Sequence, residues 1–335
     1  MRRMLKPLAD QTIVITGASS GIGLATAQMA AERGARVVMI ARNRQALETA
    51  AGALERRGHP ALAIAADVAD RASLESAATT AIERFGAIDT WVNDAGVDIW
   101  GRLADVSDAD HRRLFETNFW GVVYGSLVAV EHLRSQGGAV INIGSIESDR
   151  AFPLQGMYAA SKQAVKGFTE ALRMECEEQG MPIAFTLVKP GAIGTPLPDH
   201  AKTYMERAPR LPKPLLHPEE AAVAILAAAE RPMRDIYVGG QARIARAVAD
   251  HMPRVLDKVS ERMFIEAQLS DDPAAGRRDN LHEPGEGGQV VGHDKGTLHR
   301  SSYTRAIVRP LRTRLIVAGA CTAAALVTLA SRRRT

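Results

Sequence analysis

Five residues, Thr12-Ile-Val-Ile-Thr16, run directly into Gly17-Ala-Ser-Ser-Gly21-Ile-Gly23, and from Leu24 to Arg33 the chain is helix-forming and apolar on one face. A β-branched run of this length reads as a buried strand. Strand, glycine turn and helix in that order open a βαβ unit, which commits the chain to a parallel sheet with crossover helices. The turn also suits a dinucleotide. Gly17, Ser19, Ser20, Gly21, Ile22 and Gly23 would let the backbone approach a pyrophosphate, and the helix N-terminus offers unpaired N–H groups and a partial positive charge. An ordinary glycine-rich βα turn is the competing reading, and the flanking elements disfavour it.

The rest of the chain repeats that alternation. Arg36 to Ile40, Ala61 to Ala66, Ile88 to Asn93, Gly138 to Gly144, Ile183 to Val188 and Asp235 to Val238 read as six further strands. Helix-length segments lie between them, notably 108–134 and 158–179. The expected fold is α/β, a Rossmann-type doubly wound parallel sheet of about seven strands with a helical C-terminal extension.

Tyr158-Ala-Ala-Ser161-Lys162 places a phenol and an ammonium four residues apart. On a helix they share a face, with β-carbons roughly 5–6 Å apart. A nearby ammonium favours phenolate, so the spacing predicts a phenol acidified toward working pH, able to exchange a proton with an alcohol or carbonyl oxygen. Alone the pattern is weak; the upstream glycine turn gives it weight.

Taken together, Thr16-Gly-Ala-Ser-Ser-Gly-Ile-Gly23, Asn93-Asp-Ala-Gly96, Asn118, Ser145, Tyr158-x-x-x-Lys162 and Pro190-Gly191 resemble the classical short-chain dehydrogenases/reductases, in that family's order and spacing across roughly residues 8–240. The resemblance implies a catalytic set of Asn118, Ser145, Tyr158 and Lys162. Ser145 would hold the reacting oxygen, Lys162 would grip the nicotinamide ribose, and Asn118 would hold a water leading from Lys162 to solvent. It also implies cofactor contacts at Asp67 and Val68 (adenine), at Asn93, Ala95 and Gly96, and at Pro190, Gly191, Ile193 and Thr195 on the nicotinamide side. Bland alternatives stand beside these: an N-cap for Asp67, a structural amide for Asn118, a turn cap for Ser145. Asp94 departs from the pattern, which usually has a second asparagine there. Subunit pairing through the two long helices, giving a homodimer or homotetramer, is expected by the same analogy.

At the end of the second strand an acid would bind ribose hydroxyls and repel a 2′-phosphate. Here Ala41 is followed by Arg42, so NADP(H) is favoured over NAD(H). The competing view makes Arg42 a solvated start to the next helix. Pocket-lining segments are expected at 97–102, 146–157 and 193–214. The last carries five prolines and reads as a mobile lid; a hydrophobic ketone or secondary alcohol is the weakly preferred substrate.

Charge excludes one class. From Arg300 onward there are eight arginines and no acid; removing these eight from 42 basic residues leaves 34 against 38 acidic, a net −4. The main body therefore has no basic footprint for nucleic acid. Cys176 and Cys321 offer neither metal spacing nor a disulfide framework, so a reducing, cytoplasmic compartment is expected.

Domain limits are read as 1–240 for the catalytic domain, 241–269 for a helical extension, 270–310 for a flexible, Gly/Asp/Pro-rich linker and 311–335 for a basic-flanked apolar helix. Within the last, Leu315 to Ala330 is uncharged for sixteen residues. It would span about 24 Å against the roughly 30 Å hydrocarbon core. A membrane anchor and a surface-lying helix are both open readings. Function classes that remain are an oxidoreductase, a cofactor-binding sensor or scaffold without turnover, an NAD-preferring member of the same family, and an extended-type epimerase, which the glycine loop disfavours.

Overall fold

A computed structural model describes residues 5–240, 243, 251–293 and 296–309. The reading of residues 315–330 as an apolar helix lies outside the described residues, as does most of the first expected extension helix.

Seven parallel strands make the central sheet: β1 Thr12–Thr16, β2 Arg36–Ala41, β3 Ala61–Ala65, β4 Thr90–Asn93, β5 Gly138–Ile143, β6 Ile183–Pro190 and β7 Asp235–Val238. Their order, β7-β6-β5-β4-β1-β2-β3, reverses direction between β1 and β4. A crevice opens there at the carboxyl ends of the strands, the place where such sheets bind ligands. The β-branched runs are buried on both faces, with Ile13, Val14 and Ile15 all fully enclosed.

Helices cover both faces: α1 Gly21–Glu32, α2 Arg44–Arg56, α3 Arg71–Phe85, α4 Asp108–Phe115, α5 Gly121–Leu133, α6 Gly156–Glu178 and α7 Pro218–Glu230. Their starts are written locally. Asn43, Asp70 and Ser107 each accept a hydrogen bond from the first turn of α2, α3 and α4, as good N-caps do. Between α4 and α5 the helix widens into a π turn, Glu116–Trp120, so the expected single helix 108–134 is continuous but swollen around Asn118. Such turns take a backbone carbonyl out of the regular ladder and recur at functional sites.

The extension differs most from expectation. Residues 270–310, read as a flexible linker, are irregular but fastened to the main domain. Leu269–Pro273 pairs with Arg207–Pro209, and Leu298–His299 pairs with Leu215–Leu216. A third small pair joins Lys202–Thr203 to Ile99–Trp100, so the proline-rich segment expected as a lid is braced on three sides. The chain then turns into Ser302–Ile307, where Arg305 donates to Glu220 of α7 at 2.8 Å and the Ser301 N–H donates to the same carboxylate at 3.0 Å. Glu220 is fully buried, so this pairing with the extension neutralises a charge inside the protein.

Candidate active site

Gly17 and Gly21 adopt φ of +72° and +56°, conformations that suit glycine. A Cβ on Gly17 would lie 2.8 Å from Ala95 Cα, and one on Gly23 would lie 2.5 Å from the Gly17 carbonyl oxygen. The glycine turn therefore packs tightly on the loop after β4. Thr16 Oγ1 ties the two together by accepting the N–H groups of Asp94 and Ala95 at 3.1 and 3.2 Å. Asp94, the departure from the family pattern, accepts the Gly23 N–H, placing a carboxyl at the N-terminus of α1 where the helix dipole favours it.

A cavity of about 430 Å³ runs from this turn along the strand ends. Gly17, Ser19, Ser20, Gly21, Ile22, Arg42, Asp67, Val68, Ala95, Gly96, Pro190, Gly191, Ile193 and Thr195 line it, as expected. Two expected contacts lie behind its wall. Asn93 is buried and its amide is used within the sheet, donating to Asn142 Oδ1 at 2.8 Å and to Ser126 Oγ at 3.1 Å. Gly23 serves close packing, as described.

At the other end of the cavity stand Ser145, Tyr158 and Lys162. Ser145 follows β5, its hydroxyl accepting the Glu147 N–H at 3.1 Å on the same cavity wall as Tyr158. Lys162 reaches through the wall from α6, with Nζ 5.6 Å from the Tyr158 ring centre and donating to the Ile143 carbonyl at 2.9 Å. Asn118 is fully buried, its side chain bonded to both the N–H and the C=O of Val97 at 2.8 and 2.9 Å. Its amide is thus a strut for the loop between β4 and α4, and the π turn supplies the distinctive backbone there.

Electrostatics correct one expectation. The Tyr158 phenol is not acidified. Burial, then the charges of Asp98 and Glu147, push it well above its ordinary value, and the Ser145 hydroxyl only partly opposes this. Burial also lowers Lys162 to about 8, although Asp94, Asp98 and Glu147 pull it upward. Asp94 is raised by burial to about 7, and Asp98 to about 8 despite its bond from Gln155. Burial, then Asp98, carries Glu147 well above the usual carboxylate range. Three acids share this end of the cavity with one lysine, so near neutral pH the cluster retains protons. Sequence spacing shows the lysine and not the acids, which come from two loops, Asp94 and Asp98 from the one after β4 and Glu147 from the one after β5.

The adenosine end is also unlike the expectation. Arg42 donates to three consecutive carbonyls of the extension, those of Asn280, Leu281 and His282, the latter two at 3.2 Å. Arg113 donates to the Leu281 carbonyl at 3.1 Å while pairing with Asp67 at 2.6 Å. Asn43 donates to the Gly285 carbonyl at 2.8 Å, the Gly21 N–H to that of Gln289 at 2.9 Å, and the Gly288 N–H to that of Ser19 at 2.7 Å. Residues 280–289 therefore form a strap across the cleft, and Asn280 and Gly285 line the cavity from above.

The family model for short chain dehydrogenases matches residues 11–205. The chain belongs to the short-chain dehydrogenase family. The uncharacterized oxidoreductase YxnA of Bacillus subtilis is 44% identical over 320 residues, covering 94% of this chain and 90% of that one. An 11-beta-hydroxysteroid dehydrogenase A of Sesamum indicum is 32% identical over 270 residues, 77% and 76% of the two chains. Among solved structures, a short chain dehydrogenase/reductase from Burkholderia phymatum in complex with NAD superposes with a TM-score of 0.68 at 24% identity over 75% of this chain and 97% of that one. An alcohol dehydrogenase from the archaeon Thermococcus sibiricus with 5-hydroxy-NADP gives 0.60 at 27%, covering 68% and 95%. This short-chain dehydrogenase is thus an oxidoreductase with a nicotinamide dinucleotide fold. The glycine cradle and the elongated cavity fit such a cofactor on geometry alone.

Proposed function

We propose that the enzyme interconverts a carbonyl and a secondary alcohol, with Tyr158 as the general acid and base and NADP(H) preferred over NAD(H). The bound dinucleotide supplies or takes up the hydride. Ser145 orients the substrate oxygen through its hydroxyl. Tyr158, held protonated by its surroundings, gives that oxygen a proton in reduction and recovers it in oxidation. Lys162, anchored on Ile143, fixes the face on which this happens, and the π turn at Asn118 offers a carbonyl for a proton path to water. The observation that carries this reading is the convergence of Ser145, Tyr158 and Lys162 on the wall of a single cavity that also holds the glycine cradle. Loss of NADPH absorbance with a panel of ketones tests it. Tyr158→Phe should abolish that loss while cofactor binding persists; binding without turnover by the wild type would favour a sensor or scaffold.

Cofactor preference rests on the absence of an acid at Ala41 and the cation of Arg42. Strap contacts use three of the five N–H groups of that guanidinium, leaving two for a 2′-phosphate. A second reading, NAD(H) preference, is favoured by the same contacts, which give Arg42 a role that needs no phosphate. Relative kcat/KM for the two cofactors decides between them.

Two further proposals come from sequence. Leu315 to Ala330 would tether the enzyme to a membrane, and subunits would pair as a homodimer or homotetramer. No helix among the described residues is long and apolar enough to cross a membrane. Deleting 311–335 should move the protein out of the membrane fraction with turnover intact, and light scattering reads the assembly.

A further inference from the structure

The strap is fastened on both sides of the cofactor crevice. On one side its backbone meets Ser19, Gly21, Arg42 and Asn43, from the turns after β1 and β2. On the other it meets the segment after β6. Arg277 donates to the carbonyls of Pro198 at 3.1 Å and Asp199 at 2.9 Å, and the Asn280 N–H donates to that of His200 at 2.8 Å. Further along, the Gly292 N–H donates to the Gly194 carbonyl at 3.2 Å and the His293 N–H to Asp199 Oδ2 at 2.8 Å. Glycines let the strap lie flush on each side. A Cβ on Gly287 would come 2.5 Å from Ala46 Cβ, and one on Gly292 would come 2.5 Å from the Thr195 carbonyl oxygen. Between these two rows of bonds the strap roofs the cavity without filling it. Pro284, Gly285 and Glu286 line it on the strap side, while Gly17, Ile22 and Asp67 line it from the sheet. A dinucleotide beneath this roof leaves only when one row parts. Substrate meets a different lining, that of Phe152, Leu211 and Phe264 near Ser145 and Tyr158, which lies outside the strap.

We propose that the strap opens more slowly than hydride transfer, so that one bound dinucleotide serves several cycles and the enzyme exchanges hydride between a carbonyl and a second alcohol. This rests on the carbonyl–alcohol reading above and adds a second reaction at the same site. The balance closes inside the cavity. The carbonyl carbon receives a hydride from the cofactor, and its oxygen receives the Tyr158 proton. A second alcohol then returns a hydride to the cofactor from its carbinol carbon and a proton to Tyr158 from its hydroxyl. In sum one carbonyl becomes an alcohol and one alcohol becomes a carbonyl, with no other oxidant or reductant. The buried acids suit this order. Tyr158 starts protonated, gives its proton up in the reduction, and is then the base that the incoming alcohol needs. Slow opening of a closed roof is a common limit on turnover, because release of the spent cofactor must wait for it.

The test uses full-length enzyme loaded with NADPH and mixed with a ketone, with or without an alcohol of different carbon skeleton. The ketone alone should give a burst of about one NADPH oxidised per chain and then a slower phase set by the strap. With the alcohol present, ketone reduced should exceed NADPH consumed several-fold. Release of NADP+ is read without turnover, as the fluorescence rise when NADPH displaces it, and should match the slower phase. Arg277→Ala and Gly292→Val loosen the row after β6 and should speed both the slower phase and the displacement by about tenfold. They should also bring ketone reduced back toward one per NADPH. The wild-type measurements need no variant, so a variant that fails to fold leaves them decisive. Displacement as fast as the burst, or ketone reduced equal to NADPH consumed in the presence of every alcohol, overturns the inference while the carbonyl–alcohol reading stands. Reduction of no ketone, with slow displacement that both variants accelerate, sinks the carbonyl–alcohol reading and the exchange built on it, and leaves the slow strap standing.

Discussion

Lys162 Nζ lies 5.6 Å from the centre of the Tyr158 ring, yet the acidity of that phenol is governed by burial and by Asp98 and Glu147. An ammonium at this distance stabilises phenolate only if its field is not offset, and here three carboxyls from other loops offset it. The resting site therefore stores its proton on the phenol. That suits reduction directly, whereas oxidation needs the proton to leave first.

Asp98→Asn should accordingly move the rising limb of alcohol oxidation, the one set by loss of the Tyr158 proton, to lower pH. Asp98 is the largest charge opposing ionisation of Tyr158, and an amide keeps the bond with Gln155 without the charge. The pH dependence of kcat/KM for oxidation checks this. Ketone reduction below neutrality should change little, since Asp98 is already protonated there.

Stability should fall as pH rises through the range in which the cluster ionises. An unfolded Asp98 loses its proton near 3.8, whereas the folded one keeps it to about 8. Between these values the folded state binds more protons, so raising pH favours unfolding, by at most about 1.4 kcal/mol per unit for one such group. Asp98→Asn should flatten urea-denaturation free energies between those limits. Lys162 acts oppositely: between about 8 and 10.5 the folded lysine has given up its proton while the unfolded one keeps it, so stability rises with pH there.

Arg42→Asp should reverse the cofactor ratio toward NADH by about 10- to 100-fold, the scale of one or two charge-assisted hydrogen bonds. The substitution also removes three contacts to the strap. Arg42→Ala separates the effects, since it frees the strap without adding repulsion. If Arg42→Ala weakens NADH and NADPH equally, the residue acts only through the strap.

Gly287→Val should speed cofactor release. A Cβ at Gly287 would lie 2.5 Å from Ala46 Cβ and 3.0 Å from the Ser19 carbonyl oxygen, so a branched side chain must lift the strap from α2 and the glycine turn. An opened roof admits water to the cavity. Stopped-flow fluorescence of NADPH should show dissociation at least about tenfold faster, the loss of roughly one or two hydrogen bonds.

The sheet was legible because most strands are short apolar runs rich in β-branched residues, bounded within a few positions by turn or capping residues; β3, Ala61–Ala65, has only Ile64 of that kind. All seven strands lie where the sequence puts them, with ends shifted by a residue or two; β6 runs on to Pro190. Ser145, Tyr158 and Lys162 were legible for the same local reason. The strap was not. Asn280 to Gln289 has no apolar period, and its order comes from backbone carbonyls meeting Arg42, Asn43 and Arg113, groups far off in sequence. Asp98 and Glu147 look like ordinary loop acids until the fold encloses them. Asn93 belongs to a matching motif, but register turns its amide into the sheet.

Glu220 and Arg305 bear on how the molecule comes apart. Severing the chain ahead of Ser301 would strand a carboxylate in α7 with no counter-charge, a penalty of roughly 3–5 kcal/mol and a sizeable fraction of a domain's total stability. The dehydrogenase body and its appendage should therefore melt in one transition. Protease nicks in the appendage should register as a lower Tm for the whole enzyme.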